Sequence, residues 1–175
     1  MLKKSNLIIK SSFDDLSLRQ LNLDNSKDYF SLIDFDRNHL SQFGDTTADK
    51  YKRVEDVIAS INHPKNPDKY RFGIYDGDTM VGSNNLTLFP ENSAELGMWI
   101  GKAFVGHSYS FRGNLLLLDF AFNVLNLSYV FGVVTIGNYA SSRNLEKAGF
   151  ILDSTDTKDN SWKYIIKKEI FNKDY

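Results

Sequence analysis

The sequence predicts an α/β fold: a single mixed sheet of about seven strands flanked by helices. Three observations carry that reading. Residues 70–75 (YRFGIY), 79–89 (TMVGSNNLTLF) and 94–101 (AELGMWIG) are strand-like runs separated by the turn signals Asp76-Gly77 and Pro90-Glu91-Asn92, so they pair antiparallel in series. Residues 112–126 (RGNLLLLDFAFNVLN) are apolar almost all round, the mark of a buried helix. Residues 129–136 (YVFGVVTI) are apolar on both faces, which suits the middle of a sheet. Reached through the long helix, this strand takes a parallel step from the one before it.

The remaining elements follow from local pattern. In LSLRQL (16–21) Leu16 and Leu18 alternate with Ser17 and Arg19, giving a first strand. From about 24 to 43, Tyr29, Phe30, Ile33 and Leu40 set an amphipathic pattern of one or two helices. Val54, Val57, Ile58 and Ile61 form one helical stripe, which His63-Pro64 ends because the residue before proline is pushed out of the α region. Asn138 caps a short helix that stops at Gly149, the usual left-handed position. Two closing strands, 150–154 and 161–168, meet across the polar turn 155–160. No repeat, low-complexity tract or linker divides the chain, so residues 1–175 read as one domain.

Composition excludes several classes. With 21 basic and 22 acidic residues and a net charge of -1, the chain has no electrostatic footprint for nucleic acid or an anionic membrane. No run of eighteen apolar residues exists to span a bilayer, and the start MLKKSNLIIKSSFDD lacks the continuous apolar segment of a signal peptide. These features read as cytoplasmic. The absence of cysteine removes disulfides, thiolate catalysis and Cys-based metal centres, and His39, His63 and His107 lack ligand spacing, so no metal site is expected.

Within residues 94–150, AELGMWIGKAF, the helix ending LLLLDFAFNVLNL, and NYASSRNLEKAGF follow one another at uninterrupted spacing. Together they resemble the GNAT superfamily, and within it the RimJ/RimL-type N-acetyltransferases. LSLRQL, DRNHLSQF and YRFGIYDGDTMVG extend the likeness in phase over 16–93. The resemblance implies the GNAT fold, acetyl-CoA as cosubstrate, and transfer of its acetyl group to a primary amine. That acceptor is a protein N-terminus or a small molecule such as an amino sugar. Pairing into a homodimer is a further family-level expectation.

Such a transfer needs a neutral amine, donors for the carbonyl oxygen as it gains charge, and a proton for the departing thiolate. The resemblance puts Met98, Trp99 and Ile100 on a bulged strand beside a splay in the sheet, offering backbone N–H groups to the acetyl carbonyl and pantetheine. Glu95 matches an acidic residue that accepts the amine proton, although strand alternation equally allows a solvated carboxylate. Ser141 matches the serine of an Asn-x-x-Ser pattern that helps protonate the thiolate, and it equally suits a helix cap. Leu145 stands where many members carry a tyrosine. Asn138 both caps its helix and binds the pantetheine arm on this reading.

The pyrophosphate loop departs from the family pattern Arg/Gln-x-x-Gly-x-Gly/Ala: here it runs Val105, Gly106, His107, Ser108, Tyr109, Ser110. Its chemistry rests on backbone N–H groups at a helix N-terminus, which survive side-chain change. Lys102, His107 or Arg112 supply positive charge. Ser108 suffers only if its site demands positive φ, at a cost of order 1 kcal/mol. Asp34, Asp36, His39, Asn84 and Asn85 are the polar candidates for meeting an acceptor amine. Two readings therefore stand: a working N-acetyltransferase, or a binding module on the same fold that has lost tight acetyl-CoA binding. A third, an interaction surface built on Tyr29, Phe30 and Phe35, requires those rings to be exposed.

Overall fold

The computed structural model describes residues 6–171. Eight strands form one sheet: β1 (Ile8–Lys10), β2 (Leu16–Gln20), β3 (Lys69–Asp76), β4 (Thr79–Phe89), β5 (Ser93–Ile100), β6 (Tyr129–Thr135), β7 (Ile151–Asp156) and β8 (Ser161–Lys167). Their order is β1-β2-β3-β4-β5-β6-β8-β7, and β5–β6 is the parallel pair. The expected mixed sheet is present, with β1 as an eighth strand. That strand is three residues long and half exposed, too short for alternation to reveal it; it is held by pairing Ile8–Lys10 against Ser17–Arg19. Lys3 and Lys4 lie outside the described residues.

Six helices cover the sheet: α1 (Ser26–Phe35), α2 (Arg37–Leu40), α3 (Thr47–Lys50), α4 (Val54–Asn62), α5 (Tyr109–Asp119) and α6 (Tyr139–Lys147). Two apolar layers result. On one face Leu117, Leu118, Phe120 and Phe122 pack against Leu18, Phe72, Leu86 and Val130. On the other, Tyr29, Ile33, Leu40 and Val57 pack against Tyr75, Met80 and Trp99. The long helix starts three residues earlier than its apolar run and ends in a wider turn, Phe120–Val124. Gly149, at φ +92°, closes α6, with Phe150 N–H reaching back to Leu145 O at 3.1 Å and Gly149 N–H to Glu146 O at 3.0 Å.

One expectation about the sheet is corrected. Met98–Ile100 carry no bulge: β5 pairs with β4 in unbroken register from Phe89↔Ser93 to Gly82↔Ile100. The register shift lies instead between β3 and β4, where Ile74 faces Gly82 and Tyr75 faces Met80, leaving Val81 as the extra residue. β5 needs no bulge to expose its backbone, because its other neighbour leaves it.

Candidate functional site

β5 and β6 pair at three positions, Ser93↔Tyr129, Ala94↔Val130 and Glu95↔Phe131, and then diverge. Past that point β5 stays with β4 as far as Ile100, and β6 stays with β8 as far as Thr135↔Ser161. The sheet therefore forks. Gly101 N–H donates to Val81 O at 2.9 Å, so by strand alternation Met98 and Ile100 turn their N–H and C=O groups away from β4 and into the fork. His39 Nε2 lies 3.2 Å from Ile100 O on that side. The mouth is spanned by the segment after α2: Thr135 Oγ1 donates to Phe43 O at 2.8 Å, with Phe43 itself at φ +60°.

A cleft of about 300 Å³ occupies the fork. Met98, Trp99, Ile100, Gly106, Ser110, Asn138 and Ser141 line it, so seven of the residues singled out from sequence are brought together. Asn138 caps α6 by accepting Ser141 N–H at 3.2 Å. The Ser141 hydroxyl is left without a protein partner among the described residues, on the cleft wall. Trp99 Nε1 is buried beside the cleft with no acceptor.

At the other end of the cleft the loop before α5 takes the strained path that its sequence raised as a question. Gly106 has φ +89° and Ser108 φ +60°, the left-handed region. Among the described residues the N–H groups of 106–110 find no protein acceptor, and the first helical bond runs from Arg112 N–H to Ser108 O at 3.0 Å. A Cβ on Gly106 would meet nothing within 4 Å, so the space before these donors is open.

The side chains of His107, Ser108 and Tyr109 do not line the cleft. Tyr109 OH donates to Asp76 Oδ2 at 2.6 Å, and its ring packs on Phe104 and His107. That hydrogen bond, with burial, raises the Tyr109 phenol above its ordinary range. Arg112 is also drawn off, to Asp14 at 2.7 Å, which leaves Lys102 as the exposed cation of the loop, with the His107 ring exposed further along it.

Glu95 and Ser141 do not share one groove. Glu95 is half-buried at the closed end of the fork, in a cross-strand row with Thr87 and Phe131, on the face that α1–α4 cover. Its side chain thus meets the fork from the side opposite α6. Among the acceptor candidates, Asp34 is paired with Arg37 at 2.8 Å, and Asp36 is buried, accepting Lys102 N–H at 2.7 Å. Asn84 is fully buried toward α5 and out of reach of an acceptor. The interaction-surface reading loses its basis: Tyr29 is buried against Tyr51 and Trp99 and Phe30 is half-buried, leaving Phe35 exposed.

Sequence reading missed a chain of amides that ties the site together. Asn84 Nδ2 donates to Asn114 Oδ1 (2.8 Å), Asn114 Nδ2 to Asn144 Oδ1 (3.0 Å), and Asn144 Nδ2 to Ser110 Oγ. The chain links β4, α5, α6 and the start of α5. Its signal was present: one asparagine inside RGNLLLL, in a helix apolar on every side, must find partners in the interior.

A sheet forked beside an open helix N-terminus, with a capped second helix across the gap, defines an acyl-CoA-type transferase scaffold. Residues 15–151 match the acetyltransferase (GNAT) domain family. The chain belongs to that family and is an acyltransferase. Over 142 residues it is 28% identical to the probable N-acetyltransferase YjcK of Bacillus subtilis (strain 168), covering 76% of this chain and 78% of that protein. Among solved structures, spermidine N-acetyltransferase from Vibrio cholerae in complex with CoA and spermine superimposes with a TM-score of 0.74 at 19% identity, covering 90% of this chain and 98% of that one. The ribosomal-protein-S5-alanine acetyltransferase of Vibrio fischeri gives 0.76 at 14% identity, covering 94% and 99%. No helix of the described residues is long and apolar enough to cross a membrane, and no group of His, Asp and Glu among them is arranged to hold a metal ion.

Proposed function

We propose that the chain transfers the acetyl group of acetyl-CoA to a primary amine, with the coenzyme held along the fork. The observation that carries this is the run of unpartnered N–H groups at 106–110, at the N-terminus of an eleven-residue helix, whose ends Gly106 and Ser110 line the same cleft as Met98, Ile100 and Ser141. Gly106, His107, Ser108, Tyr109 and Ser110 would hold the pyrophosphate through their backbone, and Asn138 the pantetheine arm. The coenzyme supplies an activated thioester. The N–H groups of Met98 and Ile100 face the fork, where a carbonyl oxygen gaining charge is stabilised by fixed donors. The Ser141 hydroxyl, free of protein partners, donates a hydrogen bond to the departing sulfur and so helps it take up a proton from solvent. Glu95 takes the amine proton from the other face, so the two groups work across the fork rather than within one groove.

The loop's unusual sequence is compatible with this reading because Ser108 adopts the left-handed conformation that glycine usually supplies. Calorimetric titration with acetyl-CoA tests it. Comparable affinity of the wild type and the double variant Val105→Gln, Ser108→Gly, together with acetyl transfer to some amine, is the expected result. Binding by the double variant alone would mean an impaired loop and a non-catalytic protein. The acceptor and pairing are part of the same proposal. A primary amine on a protein N-terminus or small molecule enters from the α1–α4 face, and copies of the chain pair through β7, every residue of which is exposed. Light scattering that finds only a monomer at micromolar concentration removes the pairing.

A further inference from the structure

A second cavity, of about 610 Å³, opens on the face of the sheet opposite α5, between α3, α4 and strands β3 and β4. Its floor follows from register. Lys69, Thr87 and Glu95 are successive cross-strand partners on β3, β4 and β5, and Arg71, Asn85 and Gly97 form the next row. Direct partners in antiparallel strands share a face, so both rows lie on the cavity's side of the sheet; Lys69, Arg71, Asn85 and Thr87 line it, and Glu95 and Gly97 continue the surface onto β5. Lys50 of α3 adds a wall.

Positive charge outweighs negative in this space: Lys50, Lys65, Lys69 and Arg71 line it against Asp56. Among the described residues, Lys50, Lys69 and Arg71 are in no ion pair. Arg71 bonds only neutral groups, Ser60 Oγ (3.0 Å), Ser60 O (3.3 Å) and Tyr51 OH (2.9 Å). Of the acids nearby, Asp56 is used by the N–H groups of Lys52 and Arg53, and Glu95 stands at the β5 end. Burial first, then Lys50 and Arg71, hold the Lys69 ammonium below the usual lysine range, with Glu95 opposing. Asn85 Oδ1 is buried with no partner.

The cavity also has an exit toward the chemistry. A Cβ on Gly97 would meet nothing within 4 Å, so the floor runs past Asn85 onto β5, whose far edge is the fork. The wall between the two cavities is the Tyr29–Trp99 ring pair, 5.6 Å apart. β3 and β5 are two strand spacings apart, about 10 Å.

We propose that the acceptor is a zwitterion-like amine carrying an acidic group, a carboxylate or phosphate, which Lys50, Lys69 and Arg71 bind over β3 while the amine crosses Gly97 to the fork beside Glu95. The proposal rests on the acyl-transfer reading of the fork and deepens it. A polyamine sets cations against three cations and is selected against by the same pocket.

A matched set of linear amines spanning about 10 Å and ending in carboxylate, phosphonate, neutral amide or a second amine separates these cases. With acetyl-CoA present and CoA release as readout, the acidic amines are expected to exceed the amide in kcat/KM by about tenfold, and the diamine to be slowest. Lys50→Glu, on the exposed side of a short helix and outside the core, reverses that order. If transfer occurs but the diamine or amide leads, the proposal is overturned while the acetyltransferase reading stands. Binding is followed separately by chemical-shift changes of Lys69, Asn85 and Gly97 amides on adding the amino carboxylate to the protein without acetyl-CoA. Shifts that vanish in Lys69→Gln support the pocket even if no amine is acetylated, and in that case it is the acyl-transfer reading that fails. No shifts and no acidic preference together sink the proposal.

Discussion

Ser108 shows how a single residue can keep a backbone route that its side chain disfavours. At φ +60° it bears the strain of a Cβ against its own backbone, about 1 kcal/mol, at the mouth of the candidate coenzyme site. Ser108→Gly is expected to relieve that strain, raising the thermal midpoint by about 2–4 °C if the gain approaches 1 kcal/mol, and to leave acetyl-CoA affinity nearly unchanged. A large gain in affinity would instead mean that serine closes the cradle. Ser141 offers the complementary test. Its hydroxyl faces the cleft while its N–H serves the Asn138 cap, so Ser141→Ala keeps the cap and removes the hydrogen bond offered to the departing sulfur. We expect kcat to fall about a hundredfold with little change in acetyl-CoA affinity. The sequence made both residues legible because they stand at motif positions. It could not reveal that Glu95 approaches from the other face, since which way a strand residue points depends on which helices cover each side.

Among the elements, the amide chain from Asn84 through Asn114 and Asn144 to Ser110 fixes β4, α5 and α6 around the cleft. Asn114 is fully buried and bonded at both ends, so Asn114→Ala leaves Asn84 Nδ2 and Asn144 Oδ1 without partners. Asn84 is fully buried and half-buried Asn144 can turn to water, so with a buried unsatisfied group costing about 1–3 kcal/mol we expect a loss of that size by denaturant unfolding. Weaker acetyl-CoA binding should accompany it, because Ser110 and the start of α5 lose their tie to α6. The strands and helices themselves were largely readable: the meander turns, the doubly apolar β6 and the stripe of α4 are local signals. The bulge was not. Gly82 beside Val81 is a hint of irregularity, but it does not mark Val81 as the extra residue, because a bulge is a mismatch between two strands and neither strand carries it alone. The second cavity was hidden for the same reason: Lys69 and Arg71 lie far in sequence from Glu95 and Gly97, and only register sets them side by side.

Across the whole molecule, the buried phenols fix how stability responds to alkali. Burial pushes Tyr75 up to about 12, with Asp28 adding to the shift, and burial also raises Tyr29 and Tyr70. Tyr109 is raised chiefly by its hydrogen bond to Asp76. In each case the folded state keeps its proton at a pH where the unfolded chain, ionising near 10, has begun to release it. The unfolded state then binds fewer protons, so stability falls as pH rises, by about 1.4 kcal/mol per pH unit for each phenol fully in that window. Below pH 10 both states are protonated and this contribution is intact; for Tyr75 it is lost between 10 and about 12. Tyr51 runs the other way. Burial opposes its ionisation, but Arg71 and the hydrogen bonds around it outweigh that and lower it, so its ionisation favours the fold at a pH where the unfolded phenol is still neutral. The raised group is the larger, and the net slope above pH 10 is therefore downward. Tyr75→Phe removes one ionising phenol from the unfolded chain without emptying the space between Met80 and α1. Its unfolding free energy, measured from pH 8 to 11.5, should track the wild type up to pH 10 and then decline less steeply. Parallel curves across the whole range would show that Tyr75 is not the phenol being held in its neutral form.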